Sequence, residues 1–182
     1  MTEWLSGKGS KTGGYYLLGD INLRYPETLQ DKDSCLIQAV VSQEKNTDEG
    51  HIIKLISPAW LKIVELIKQD PQIMHEIPAR KWEELIAGAY DKAGFDEVTL
   101  TPRSGDLGRD VIAVKKGWGS IRIIDQVKAY KPGHLVTADD VRALLGVLQA
   151  DHSATKGMVT TTSDFAPKIK EDKLFNHLSH IV

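Results

Sequence analysis

The 182-residue sequence predicts an α/β fold preceded by an N-terminal α+β region, and three observations carry that prediction. Trp82, Leu85, Ile86, Ala89 and Ala93 recur at helical spacing, and Gly94 ends the run. Two apolar runs, Asp110–Val114 and Ile121–Lys128, read as neighbouring strands. Thr137 and Asp140 form a capping box ahead of Val141, Leu144, Leu145 and Leu148, and a short apolar strand over Gly157–Thr161 follows. With a strand over Phe95–Thr101, the order is helix, three strands, helix, strand, and a last helix capped by Ser163 or Asp164.

The N-terminal part is less regular. Residues 1–14, above all Ser6–Gly14, read as a flexible lead-in. Gly7–Thr12 is not a phosphate loop, because Ser10 stands where glycine must precede Lys11-Thr12 and no helical pattern follows. Tyr15–Leu18 and, more clearly, Leu36–Ser42 read as strands, with Asn22–Ser34 looped between them. Turn signals over Asn46–Gly50 lead into a strand over His51–Ile56. Ser57 reads as an N-cap with Pro58 in the first helical position. Trp60, Ile63, Val64 and Ile67 then mark an amphipathic helix over Pro58–Gln69, stopped at Asp70-Pro71. The connector to Pro78 separates an accessory region, 1–78, from a main domain, 79–182.

Composition narrows the function classes. The chain is 41% hydrophobic and 26% charged, ordinary for a globular protein with a sizeable core. No apolar run approaches bilayer-spanning length, and the opening Met-Thr-Glu-Trp lacks the order of a secretory signal. A single cysteine, Cys35, excludes an internal disulfide, fits a cytoplasmic location and reads as a buried small side chain. Net charge is -2, with 8 basic against 11 acidic residues over 1–79 and 15 against 14 over 80–182. Charge therefore permits nucleic-acid binding without implying it.

The chemistry concentrates between Gly105 and Tyr130. Gln126 and Lys128 fall on one face of an otherwise apolar strand, since side chains alternate. An amide or ammonium buried without a partner costs several kcal/mol, so such groups meet a counter-charge or a ligand. Lys128 could alternatively snorkel to the strand end. Asp110 opens the neighbouring strand, where a solvated turn residue is the plain alternative. Together the three suit a hard divalent cation and the water beside it. On the preceding helix Glu83 lies at the margin of the apolar stripe, able to look over the sheet edge, while Glu84 points towards solvent. Zinc does not fit, because the six histidines show no paired spacing with cysteine, and His177 and His180 read as surface residues.

Ala79–Lys170 resembles the Mrr-type branch of the PD-(D/E)xK nucleases. The matching pieces are Trp82-Glu83 with Leu85-Ile86, Gly94-Phe95, Ser104–Asp110, Asp125–Tyr130 and Gly157–Phe165. The resemblance implies a mixed central sheet and Mg²⁺-dependent hydrolysis of DNA phosphodiester bonds, with Mn²⁺ as a substitute, in restriction or anti-phage defence. Carried over by position, Asp110 binds the metal and Gln126 fills the acidic position of the motif, as is usual in this branch. The Val127 carbonyl completes the shell, Lys128 orients or activates the attacking water and stabilises the phosphate, and Glu83 reaches the metal, directly or through water, or helps a second ion. Asp106 is a looser candidate on the same turn.

Arg103, Lys115, Lys116, Arg122 and Lys131 are candidate backbone contacts to DNA, as are Thr161 and Ser163 near the next helix start. A strand end with an N-cap explains the last two equally well. Residues 1–78 match no named family, and the chain ends at Leu178–Val182 where relatives continue through a further strand and helix. The resemblance thus leaves room for a homo-oligomer or a partner subunit. A binding module that keeps the fold without cleaving is the alternative function.

Overall fold

The computed structural model describes residues 32–103 and 108–169. The expected lead-in, the strand at Tyr15–Leu18, Asp106 with the Ser104–Leu107 part of its turn, His177, His180 and Leu178–Val182 lie outside the described residues. The chain forms a six-stranded mixed sheet in the order β1 (Val41–Thr47), β2 (Gly50–Leu55), β3 (Glu97–Leu100), β4 (Val111–Lys115), β5 (Ile121–Lys128), β6 (Lys156–Thr161). Every neighbouring pair is antiparallel except β5–β6, which is parallel. The crossover between those two is a helix, the connection that parallel strands require.

Among the described residues four α-helices flank the strands: α1 (Lys32–Ile37), α2 (Ser57–Gln69), α3 (Ala79–Lys92) and α4 (Ala138–Ala150). Ala87 of α3, with Ile86 and Tyr90, packs on Val98, Val111, Ala113 and Ile123 of the sheet. On the other face Val141 of α4 packs with Val136 and Val159. Buried Trp60 of α2 donates Nε1–H to the Leu85 carbonyl of α3 at 2.8 Å, locking the two helices together. Burying side chains such as Ile53, Ile63 and Ile124 contributes about 1.5–3 kcal/mol each, the main favourable term here.

Residues 79–161 follow the sequence expectation closely. α3 ends before Gly94, β5 spans Ile121–Lys128, and the Thr137–Asp140 capping box closes the start of α4. Asp110 falls just before β4 instead of opening it.

Four expectations for the remainder are corrected. Leu36–Ser42 is not one strand. Lys32–Ile37 is helical, because Cys35 turns inward against the cluster around Trp60, and the strand starts at Val41. Lys32–Ser34 accordingly leaves the expected loop. Ile56 occupies the N-cap position of α2, so Ser57 is already helical and provides no cap. After Ser163 the described residues hold a bridge between Val136 and Phe165 and a 3-10 turn over Pro167–Ile169, where a helix was expected.

The β1–β2 hairpin belongs to the same sheet as β3–β6, through His51 opposite Leu100 and Ile52 opposite Thr99. Its turn therefore sits at the end of the sheet where Asp110 enters β4.

Candidate active site

Strand alternation sorts the polar groups at this end of the sheet. Val111 lies opposite Asp125 on the α3 face, which puts Asp110, Gln126 and Lys128 on the α4 face. The structure thus brings together three of the four residues singled out in the sequence.

Asp110 is fixed by backbone hydrogen bonds on both sides. Its N–H donates to the Asp125 carbonyl at 3.1 Å, and its carbonyl accepts the Thr101 N–H at 3.1 Å. The Thr101 hydroxyl is shared between the Arg109 carbonyl and the Asp110 carbonyl. The Asp110 Oδ2 accepts the Val127 N–H at 2.7 Å, which turns the carboxylate towards β5.

Gln126 is buried and donates Nε2–H to the Gly108 carbonyl at 3.3 Å. Gly108 adopts φ +79°, a conformation glycine takes without penalty. A carbonyl can face only the N–H side of an amide, so this contact fixes which end of Gln126 is oxygen. That oxygen, Oε1, is buried and has no hydrogen-bond partner among the described residues. An orphaned acceptor in such a place costs about 1–3 kcal/mol unless something fills its lone pairs. Together with the Asp110 carboxylate it makes an oxygen donor set of the kind that hard divalent cations take. The residues present therefore fit a divalent metal.

Lys128 is mostly buried, and its Nζ lies 3.6 Å from Asp140 Oδ1. Asp140 also accepts from Thr137 N–H at 2.8 Å and from Tyr130 Oη–H at 3.0 Å. Burial works against ionisation of Asp140, but those hydrogen bonds and the Lys128 charge outweigh it and hold the carboxyl below its ordinary range. Lys128 is thus held at the sheet by an ionised partner and does not snorkel freely. The Lys128 carbonyl accepts Thr162 N–H at 3.2 Å and the Thr161 hydroxyl at 2.9 Å, tying the ends of β5 and β6 together.

Glu83 is not among this group. It comes from α3, on the opposite face, and its carboxylate pairs with Arg80 at 2.6 Å. The same Arg80 donates to the Thr101 carbonyl at 2.8 Å, so Arg80 and Thr101 link Glu83 to Asp110. Glu84 does not point freely into solvent: it pairs at 2.7 Å with Lys81, which also donates to the Gln38 carbonyl at 2.8 Å. The N-terminal segment covers that side of α3, which helical phase alone does not report.

The candidate DNA contacts are scattered. Lys131 and exposed Arg103 lie at the Asp110 end, whereas Lys115 and Lys116 lie at the far end of β4, paired with Asp96 and Glu97 at 3.4 and 3.5 Å. Arg122 pairs with Glu49 and Asp151. Thr161 spends its hydroxyl proton on Lys128 and accepts the Ser163 N–H at 3.1 Å.

Asp125 is a neighbour that sequence reasoning passed over. It is 1% exposed, on the α3 face directly behind Gln126. Its Oδ2 accepts from Tyr90 Oη–H and Thr160 Oγ1–H, each at 2.9 Å, linking α3, β5 and β6. Burial pushes its carboxyl up to about 6 against the two hydrogen bonds, and the Asp110 charge adds to the rise. A carboxylate inside an apolar strand was the available signal.

The family model described as "Restriction endonuclease", of the Mrr catalytic type, matches residues 74–173, more than half of the chain. No curated protein matches. Among solved structures, "MspJI Restriction Endonuclease in Complex with 27-mer Oligonucleotide" is similar at 15% identity and a TM-score of 0.35, with 71% of this chain and 30% of that one covered.

Proposed function

The chain belongs to the Mrr-type restriction endonuclease family, and from that premise we propose that it is a DNA endonuclease hydrolysing phosphodiester bonds with a divalent cation, Mg²⁺ or Mn²⁺. We read α3, β3–β5, α4 and β6 as a PD-(D/E)xK core. Residues 79–182 would hold the catalytic apparatus, with 1–78 as an accessory region and a role in restriction or anti-phage defence. The observation that carries the metal reading is the buried Gln126 Oε1 beside Asp110, unpartnered among the described residues.

Asp110 and Gln126 would hold the ion, with the Val127 carbonyl as a third oxygen. When bound, it would neutralise phosphate charge and lower the pKa of a coordinated water. The protein's own groups supply the rest. Lys128, steadied by Asp140, presents N–H donors to the phosphate oxygen on which negative charge grows, and to the attacking water. Gln126 contributes an oxygen without a charge, so Asp110 is the sole anion of the trio. Glu83 would act through water, its place set by the Arg80 link to Thr101.

The test is plasmid DNA incubated with Mg²⁺ or Mn²⁺ and the unaltered, Lys128→Ala and Asp110→Ala proteins. Cleavage by the unaltered protein, lost in both variants and in excess EDTA, is expected. Cleavage persisting in both variants, or in EDTA, overturns the mechanism. Binding without cleavage favours a non-cleaving module.

A further inference from the structure

We infer that Glu49, in the β1–β2 turn, is a positioning residue for Asp110, acting through Arg109; the inference rests on the metal site proposed above. Two separate observations place the hairpin turn against the residues that hold Asp110.

The first is electrostatic. Glu49 Oε1 lies 3.2 Å from Arg109 Nη1 and 2.5 Å from Arg122 Nη2. Asp151, at the end of α4, lies 3.6 Å from the same Arg109 nitrogen and 3.0 Å from Arg122. Two guanidiniums and two carboxylates thus alternate beside the sheet. The Arg109, Arg122 and Asp151 side chains are only 17%, 14% and 12% exposed, against 39% for Glu49, so solvent reaches the cluster chiefly at its Glu49 edge. Arg109 directly precedes Asp110, and a pinned Arg109 side chain fixes the peptide that enters the ligand.

The second is steric. Gly50 sits at φ +145°, where a Cβ would overlap the Leu100 carbonyl oxygen and crowd Thr101 Cα. The turn therefore lies flush on Leu100–Thr101. Thr101 in turn holds the Asp110 carbonyl through its N–H and its hydroxyl, both at 3.1 Å. Asp110 stands just beyond the last register pair of the β4–β5 ladder, Val111 with Asp125, where β5 still holds its N–H and its Oδ2, and supports from outside the ladder add to its placement. The hairpin supplies them from Arg109 on one side and Thr101 on the other. The hairpin thus has a role at the site without contributing a ligand.

Groups that orient a metal ligand from behind typically change metal affinity or activity by about 10–100-fold when removed. Glu49→Gln keeps the shape and deletes the charge. We expect it to raise the Kd for Mn²⁺, measured by calorimetry on the full chain without DNA, by roughly ten-fold, with a matching rise in the Mn²⁺ concentration for half-maximal plasmid cleavage. Glu44→Gln, on the exposed face of β1, should bind Mn²⁺ as the unaltered protein does. Arg109→Lys, which loses the fork that meets Glu49, should weaken binding too, and combining it with Glu49→Gln should add little, since Glu49 reaches Asp110 through Arg109 in both cases. Thermal unfolding of each metal-free variant shows that the assay temperature lies below its transition. Should Glu49→Gln not fold, Arg109→Lys carries the test alone. An unaltered protein that binds Mn²⁺, with variants of unchanged Kd or with losses that simply add, overturns the positioning role alone. An unaltered protein that neither binds Mn²⁺ nor cuts DNA overturns the metal site and this role with it.

Discussion

The Val127 N–H donates to the Asp110 Oδ2 at 2.7 Å, so the carboxylate of one strand is aimed by the backbone of the next, between Gln126 and Lys128. Charge and hydrogen bonding at Asp110 are therefore separable. Asp110→Asn keeps an oxygen that can accept from Val127, and its stability should stay within about 1.5 kcal/mol of the unaltered protein. Asp110→Ala strands the Val127 N–H and should cost about 1–3 kcal/mol. Both should abolish Mn²⁺-dependent cleavage. Urea unfolding of the metal-free proteins checks this, and Asn and Ala variants of equal stability would show that the hydrogen bond does not hold the strand pair.

Gln126 presents one satisfied amide end and one orphaned oxygen. Gln126→Met removes both polar ends at similar volume, so metal-free stability should change by less than about 1.5 kcal/mol while added Mn²⁺ no longer raises Tm. Gln126→Glu should do the reverse. Without metal, a second carboxylate faces the Gly108 carbonyl and Asp110, with a loss of about 2–4 kcal/mol, and saturating Mn²⁺ should recover much of it. Thermal melts with and without Mn²⁺ decide. A Met variant still stabilised by Mn²⁺ would remove Gln126 from the site.

The sequence was most legible where local pattern and tertiary burial agree. β5 carries Ile121, Ile123, Ile124 and Val127 and lies inside the sheet, so its limits, Ile121 and Lys128, could be read directly, and the Thr137–Asp140 box announced α4. β1 shows the opposite case. Ser42 to Thr47 are polar and exposed, and only pairing with β2 makes them a strand, which no periodicity reports. Asp110, Gln126 and Lys128 were visible because polar groups in an apolar strand stand out. Their partners were not. Arg109 meets Glu49 across sixty positions, and Asp125 meets Tyr90 and Thr160 across thirty-five each, separations set by topology alone. Glu83 illustrates the limit of helical phase, which placed it at the stripe margin but could not reveal that Arg80 holds it there.

Asp125 makes a pH prediction whose sign follows from burial. Its carboxyl titrates at about 6 in the fold, against 3.8 for the ordinary group. Between those values the folded protein keeps a proton that the unfolded chain has released, so stability falls as pH rises from about 4 to about 6 and is flat beyond. The loss is on the order of 3 kcal/mol. Asp125→Asn is neutral throughout and can accept from Tyr90 and Thr160, so it should flatten this slope and be the more stable protein at pH 7. Unfolding free energies in EDTA, from pH 4 to 7, measure it. Parallel curves for the two proteins would mean that Asp125 stays ionised in the fold.

Lys128 and Asp140 form the last pair to separate. Lys128→Met removes the donors aimed at the phosphate and should lower kcat by roughly 10²–10³-fold with KM little changed, the signature of an interaction made mainly in the transition state. Asp140 touches no substrate in this scheme, yet its carboxylate lies 3.6 Å from the Lys128 Nζ and also caps α4. Asp140→Asn should therefore show two effects: a stability loss of about 1 kcal/mol from the weakened cap, and a smaller fall in kcat from a less confined lysine. Thr137→Ala weakens the same cap without touching Lys128 and separates them, since it should lose stability and keep kcat. Equal falls in kcat for Thr137→Ala and Asp140→Asn would assign the effect to the helix end, and leave Lys128 positioned by its strand alone.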